Sequence, residues 1–387
     1  MKINKRTVDV ILVMLVLLAT VLPLFIAKQM IIVSLSFLSI RIIFSKDLFF
    51  YSKYKIIIFL LFLPGIFAAI YTAPEHIIRY FGILLLVLGF PFSSFNIKHS
   101  SIIFLSSLVL IYLIVTQLLL LHGNQVLMNF RDLAYDYDPV NAHKSYGTTS
   151  NIFENAIDFS YWKIRAGGLY SNPNTLAAVV LLFFFIFDIS WKFNIQKIGY
   201  NKKIWKSFIY LAMFSLVLMS LMQTKSKTYL ITFLVYLIFQ HLNIIDIIRL
   251  KVKTKLILPL FLSVGILSLF FEKIINNFFQ GGSVNIKYSI LFDYLKDASF
   301  FNIFFGGVFD VYFDTEYGYW IGASGLAGII AFYIFYKMVY RFSNQSKAIL
   351  IALICSSFGS SLFYSLLLVS ILIPMFIVLL SSEKINQ

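Results

Sequence analysis

The sequence predicts an all-α fold: a polytopic integral membrane protein forming a single membrane domain over residues 1–387, with about 12 transmembrane helices and two large outer loops. Three observations carry that expectation. The 387 residues are 60% hydrophobic and only 13% charged, against roughly one quarter charged in a soluble globule. Mean hydropathy is +0.88. The apolar residues are gathered into runs that approach the ~20 residues a helix needs to cross a bilayer.

In chain order the runs are 8–27, 30–44, 56–73, 77–92, 101–121, 174–191, 207–223, 228–245, 256–271, 317–336, 348–363 and 365–381. Lys2, Lys5 and Arg6 precede the first run as in a signal peptide, but so many spans follow that an uncleaved first helix is expected. The run at 30–44 is short for a span. Only the polar cluster of Ser360, Ser361 and Tyr364 separates the last two, so ten or eleven spans also fit.

Lys and Arg set the expected orientation. With a cytoplasmic N-terminus, the inner segments receive Arg41, Lys46, Lys53 and Lys55, then Lys192, Lys197, Lys202, Lys203 and Lys206. Further on they receive Arg249, Lys251, Lys253 and Lys255, and finally Lys337, Arg341 and Lys347. Both termini are therefore expected in the cytoplasm. Topology and anionic headgroups account for the formal charge of +15, without nucleic acid as a partner. The lone Cys355 lies in an apolar run, which excludes an intramolecular disulfide.

Two outer segments are long, 122–173 and 272–316, and long ordered loops are usually functional. The first is polar and turn-rich, with Asp132, Asp136, Asp138, Pro139, Asn141, His143 and Gly147. Asp136-Tyr-Asp138 has the D-x-D form of some sugar-transferase metal sites, a pattern that arises easily by chance in an acidic loop. His76, His122 and His143 lack metal-ligand spacing. No P-loop, Rossmann or G-x-S-x-G fingerprint is present, so neither metal nor cofactor is expected. The second loop holds Phe279-Gln-Gly-Gly282 and an amphipathic stretch, Tyr288 to Leu295, suited to the bilayer surface.

The most informative segment is Arg165-Ala-Gly-Gly-Leu-Tyr-Ser-Asn-Pro-Asn174. Pro favours the first helical position, so Ser171 or Asn172 would cap a helix beginning near Pro173 and continuing to Ile189. Its free N–H groups and positive dipole end form an anion site, with Gly167 and Gly168 allowing close backbone approach. Arg165 adds a planar fork of donors suited to phosphate. A capped helix beside a snorkelling Arg is the plainer alternative.

Lys225 and Lys227, in Gln223-Thr-Lys-Ser-Lys-Thr228, are positive charges on the face that should lack them. The turn is short enough to hold both at the outer boundary, either as a second clamp on an anionic headgroup or as snorkelling lysines. Ser226 or Thr228 would cap the next helix. Asp314-Thr-Glu-Tyr-Gly-Tyr-Trp320 runs into a helix carrying Gly318, Gly322, Gly325 and Gly328, small residues spaced for close helix packing. Asp314 or Glu316 could take a proton from an incoming hydroxyl, or cap the helix beneath an aromatic belt.

Together these segments resemble the O-antigen ligase and polymerase superfamily of bacterial inner-membrane glycosyltransferases, and within it the O-antigen polymerase (Wzy) family. The likeness rests on Arg165 to Asn174 as an R-x-x-G-x-x-x-N-P-N type segment, on Thr224-Lys-Ser-Lys-Thr228 in the place of a T-x-S-R turn, and on the loop ending at Asp314 to Gly325. Lys227 stands where many relatives have Arg, which weakens bidentate phosphate binding at that turn. The resemblance implies a polysaccharide polymerase, for O-antigen or capsule, with its two large loops in the periplasm. It would move an undecaprenyl-diphosphate-linked glycan onto a new lipid-linked repeat unit as an inverting, metal-independent glycosyltransferase, with a chain-length regulator as a further partner. Arg165, Asn172, Asn174, Lys225, Ser226 and Lys227 would hold the diphosphate. Arg165 would also serve catalysis, with Glu316 or Asp314 activating the acceptor. Ligases of the superfamily share a His in the second large loop, and residues 272–316 contain none, which favours polymerase over ligase. A flippase or transporter for the same lipid-linked glycan is the rival from another class; it would need polar groups at mid-membrane depth and related halves.

Overall fold

The computed structural model describes residues 5–22, 24–44, 52–90, 92, 95–134, 168–170, 173–195, 200–241, 283–309, 315–340, 344–357, 362 and 366–383. Among them every regular element is helical and there is no strand. The helices are α1 (Lys5–Ala19), α2 (Leu24–Ile43), α3 (Ser52–Thr72), α4 (Ile77–Gly89), α5 (His99–Leu121), α6 (Gln125–Ala134) and α7 (Pro173–Ile195). They continue as α8 (Tyr200–Thr224), α9 (Lys227–His241), α10 (Ser283–Asp297), α11 (Phe300–Phe305), α12 (Glu316–Tyr340), α13 (Asn344–Ser357) and α14 (Leu366–Glu383).

Every predicted apolar run carries a helix except 256–271, which lies outside the described residues. Among the described residues, five helices are by length and composition alone long and apolar enough to cross a membrane: Lys53–Thr72, His99–Leu121, Pro173–Asn194, Ser207–Thr224 and Glu316–Tyr340. Three boundaries differ from the sequence expectation. The first run does not extend to residue 27: α1 stops at Ala19, and Lys28 and Gln29 lie inside the 20-residue α2. The break falls at the sequence position of Pro23, a residue with no N–H to continue a helix. The start of the first large loop is helical, as α6. The third difference, inside α12, matters most.

The chain forms two compact units that interleave in sequence. The first comprises Met1–Asp47, Phe92–Leu230 and Ser370–Gln387; the second comprises Leu48–Pro91 and Ile231–Val369. In the first unit α7 packs along α5 and α8, and α1 along α2 and α5. Every residue of α7 from Leu176 to Trp191 is buried. A helix that is apolar on all sides belongs in such an interior position.

The two ends of the first unit are each held by polar contacts. At one, buried Asp9 accepts from Arg41 Nε at 2.7 Å and from the Asn96 N–H at 3.0 Å. Asp188 similarly accepts from Lys192 at 2.6 Å and from Tyr210 at 2.7 Å. At the other, the Tyr170 hydroxyl donates to the Thr20 carbonyl at 3.1 Å, and Leu120 and Leu169 pack with Leu127 and Met128.

In the second unit α3 lies against α12, with α4, α11 and α13 around them. Phe62, Tyr80, Trp320 and Phe332 form its aromatic centre, with ring centroids 5.4–5.9 Å apart along Tyr80–Trp320, Phe62–Trp320, Phe62–Phe332 and Phe62–Tyr80. Such edge-on pairs add to the stabilisation from buried area alone. The predicted crossing at 317–336 is not a continuous rod. At Gly325 the backbone turns to φ 62°, ψ −160° and divides α12 into halves 316–324 and 326–340. The second half folds back against the first. Trp320 and Phe332 have centroids 5.2 Å apart, although residues twelve apart in an unbroken helix are separated by roughly 18 Å.

The break is built from glycines on two segments. Gly325 and Gly306 both have positive φ, and a Cβ on either would collide with the backbone of the other's segment. The freed carbonyls of the first half are not left bare. Ala323 O accepts from the Gly307 N–H at 3.1 Å and from the Tyr80 hydroxyl at 3.0 Å, and Gly322 O accepts from the Val308 N–H at 3.0 Å. The glycines at 322, 325 and 328, expected to form a small-residue packing stripe, instead surround this reversal.

Candidate functional site

The residues singled out by the sequence divide between the two units. Arg165, Asn172 and Asp314 lie outside the described residues, as do Gly167, Ser171, Asp136, Asp138 and His143. In the first unit, α7 begins at Pro173, so Asn174 occupies its first turn, half-buried, at the positive end of the helix dipole. Gly168 packs against Gln117: a Cβ there would lie 3.7 Å from the Gln117 Cα. Gln117 Nε2 donates to the Ser220 carbonyl at 3.2 Å, and the Ser220 hydroxyl donates back to Gln117 Oε1. This fully buried exchange joins the end of α5 to the end of α8, five residues before Lys225.

The α8–α9 turn is tight and strained. Lys225 adopts φ 51°, a left-handed conformation that costs an L-residue roughly 1–2 kcal/mol. Its N–H donates to Met222 O at 3.1 Å, and the Ser226 N–H donates to Thr224 Oγ1 at 3.3 Å. Ser226 is buried at the cap position of α9, and its carbonyl accepts from the Leu230 N–H at 3.0 Å. Lys227 is exposed, whereas Lys225 is half-buried. The turn therefore displays two ammonium groups at the same end of the unit as the 168–170 turn that leads to Asn174.

In the second unit, Glu316 begins α12, where a negative charge suits the helix dipole. Its carboxylate is 3% exposed and accepts the Trp320 indole N–H one turn on. Trp320, Phe332, Tyr336 and Ser357 border a small cavity beside it. Because α12 is folded back, Tyr336 shares that cavity with Glu316; in a straight helix they would stand roughly 30 Å apart.

Sequence reasoning set His76 aside for want of ligand spacing and overlooked Arg79. The structure joins both to Tyr319. The Arg79 Nη1 group donates to His76 Nδ1, and the Tyr319 hydroxyl lies 2.8 Å from the same nitrogen. A guanidinium only donates, so Nδ1 carries a lone pair and the imidazole is neutral with its N–H on Nε2, 3.5 Å from Glu75. Burial first, and then Arg79, hold the His76 pKa below its ordinary value, while Glu75 pulls weakly the other way. Phe309 packs against the imidazole as well, its ring centroid 4.8 Å from that of His76. The signal was available in part: Arg79 is a lone cation within the apolar run 77–92.

Comparison with known proteins leaves these local geometries to speak for themselves. No protein-family model matches the chain, no curated protein matches it, and no solved structure matches it.

Proposed function

We propose that this membrane protein is a polysaccharide polymerase of the O-antigen polymerase type, making O-antigen or capsule at the periplasmic face of the bacterial inner membrane with its N-terminus in the cytoplasm. The donor is a glycan chain linked through its anomeric carbon to undecaprenyl diphosphate, and the acceptor is a new lipid-linked repeat unit. An acceptor hydroxyl oxygen bonds to that carbon from the side opposite the diphosphate. The bond to the diphosphate oxygen breaks with inversion, and undecaprenyl diphosphate leaves. Glu316 or Asp314 takes the hydroxyl proton.

In this reading Arg165, Asn172, Asn174, Lys225, Ser226 and Lys227 hold the diphosphate and neutralise charge that develops on it, with fixed donors requiring little reorganisation. His76, Arg79 and Tyr319 position the first turn of α12, which carries Glu316. The observation that carries the reading is the pairing, within one unit, of the α7 start with a turn that holds Lys225 in a left-handed conformation. Strain retained at a charged turn, half-buried at Lys225 and exposed at Lys227, points toward function.

A clean deletion in an O-antigen producer tests it by the glycan that accumulates. Loss of a polymerase leaves flipping and ligation intact, so lipid A core should carry one repeat unit and no ladder. The intact gene should restore the ladder, and Glu316→Gln should not. Bare core with polymer stranded on undecaprenyl diphosphate indicates a ligase instead, and single repeats stranded on the cytoplasmic side indicate a flippase.

A further inference from the structure

We propose that residues 299–309 are a re-entrant segment, sunk into the hydrocarbon of the leaflet entered by the first half of α12, with Phe300, Phe301, Phe304 and Phe305 against lipid acyl chains. The sequence alone assigned this stretch to a loop outside the membrane. Two independent measures of depth say otherwise. Along α12, the partners of Gly307 and Val308 are Ala323 and Gly322, six to seven residues beyond Glu316, which is roughly 10 Å at 1.5 Å per residue. Gly306 reaches slightly further, to Ser324.

The second measure is α3, whose apolar window Lys53–Thr72 has 20 residues, or roughly 30 Å, matching the thickness of a hydrocarbon core. Gly307 sits beside Ala68, and Gly65 lies against the same Ala323 and Ser324 that the loop meets. Those positions are roughly 6 and 10 Å inside the end of the span. Both helices therefore put residues 306–308 below the headgroup layer.

Irregular backbone survives at such depth only if its polar groups are satisfied by protein. The N–H groups of Gly307 and Val308 meet that condition through the carbonyls released by the α12 break. The side chains fit the same environment. From Ala298 to Phe309 there is no charged residue, and Phe300 and Phe301 are 76% and 64% exposed. Leu326 and Ile330, just beyond the break, continue the exposed apolar surface. Facing water, such a patch would be an aggregation liability.

Spin labels test the placement independently of enzymatic activity. In a Cys355→Ser background, Phe300→Cys and Phe301→Cys are labelled with a nitroxide in full-length protein in phospholipid nanodiscs containing no polyprenyl lipid. Phe67→Cys on α3 serves as a lipid-facing reference at similar depth, and Lys296→Cys as a water-facing one. Power saturation should show both labels more accessible to oxygen than to a water-soluble nickel chelate, as at Phe67. Preferential access of the nickel chelate at either position, as at Lys296, overturns the proposal. Low access to both reagents also overturns it, because protein would then cover the patch. Labels at Phe304 and Phe305 give the same reading if either first variant fails to fold.

Discussion

The Tyr80 hydroxyl donates to the Ala323 carbonyl at 3.0 Å and lies 2.6 Å from the Ser324 hydroxyl, immediately before the α12 backbone turns left-handed at Gly325. Gly65 faces the same three groups, and a Cβ there would collide with the Tyr80 hydroxyl, the Ala323 carbonyl and the Ser324 hydroxyl. Tyr80→Phe should therefore cost about 1–3 kcal/mol. Gly65→Ala should cost at least as much by overpacking. Because removing the hydroxyl relieves part of the clash, the double variant should be less destabilised than the sum of the singles. Thermal unfolding in detergent measures all three, and strict additivity would separate the two residues.

Gly325→Ala and Gly306→Ala should each be severely destabilising. Each meets a backbone collision as well as a positive φ, which alone costs about 1–2 kcal/mol. Gly123→Ala is the control: its φ is 75°, but nothing lies within 4 Å of an added Cβ. It should lose only the conformational part. Equal losses in all three variants would remove the packing argument.

His76 should make the fold acid-sensitive over a defined window. Its folded pKa is lowered from the ordinary 6.5, so between those two values the unfolded chain binds a proton that the folded chain refuses. Stability is therefore full above about pH 6.5 and falls as pH drops below it, until the lower folded value is reached. His76→Asn should flatten this component below about pH 6.5. The measurement is the wild-type minus variant difference in melting temperature across pH, and a difference independent of pH would count against a neutral buried imidazole.

Arg165→Lys should reduce polymer synthesis by tenfold or more at unchanged abundance, since an ammonium keeps the charge but not the planar fork, and charge-assisted hydrogen bonds are worth ~1.5–3 kcal/mol. Lys225 and Lys227 should tolerate Arg and fail with Glu. Normal ladders from Arg165→Ala would exclude that residue from the site.

Single cysteines test orientation. In the Cys355→Ser background, cysteines at Asn141 and Asn285 should react with an impermeant thiol reagent in spheroplasts, and one at Asn201 should not. The reverse pattern would turn the proposed site to the cytoplasm.

The helices were legible because burial in lipid demands long apolar runs, and the start of α7 was legible because Pro173 has a strong positional preference. The break after α1 was misplaced because Lys28 and Gln29 are locally more conspicuous than Pro23, and because a proline by itself does not mark a helix end: α3 and α14 each run on through one, Pro64 and Pro374. The reversal at Gly325 was hidden for a different reason. A glycine spaced for helix packing and one spaced for a left-handed turn look alike until Gly306 is brought against it. His76 and Tyr319 are 243 residues apart, and no local pattern reports such a meeting. Asn174 and the Lys225 turn were recognisable because helix starts and short turns are local features.

The interleaving of the two units bears on how the chain is made. Residues up to Leu230 supply most of the first unit, but its last part begins at Ser370 in α14, whose residues Ile371 to Leu380 are almost wholly buried. About 140 residues of translation separate the two, or roughly 7–28 s at 5–20 residues per second. During that interval α5, α7 and α8 reside in the bilayer without the helix that completes their unit. The nascent protein must therefore hold an unfinished core open while the whole of the second unit's later sequence is inserted, a period in which insertion chaperones and membrane proteases compete for it.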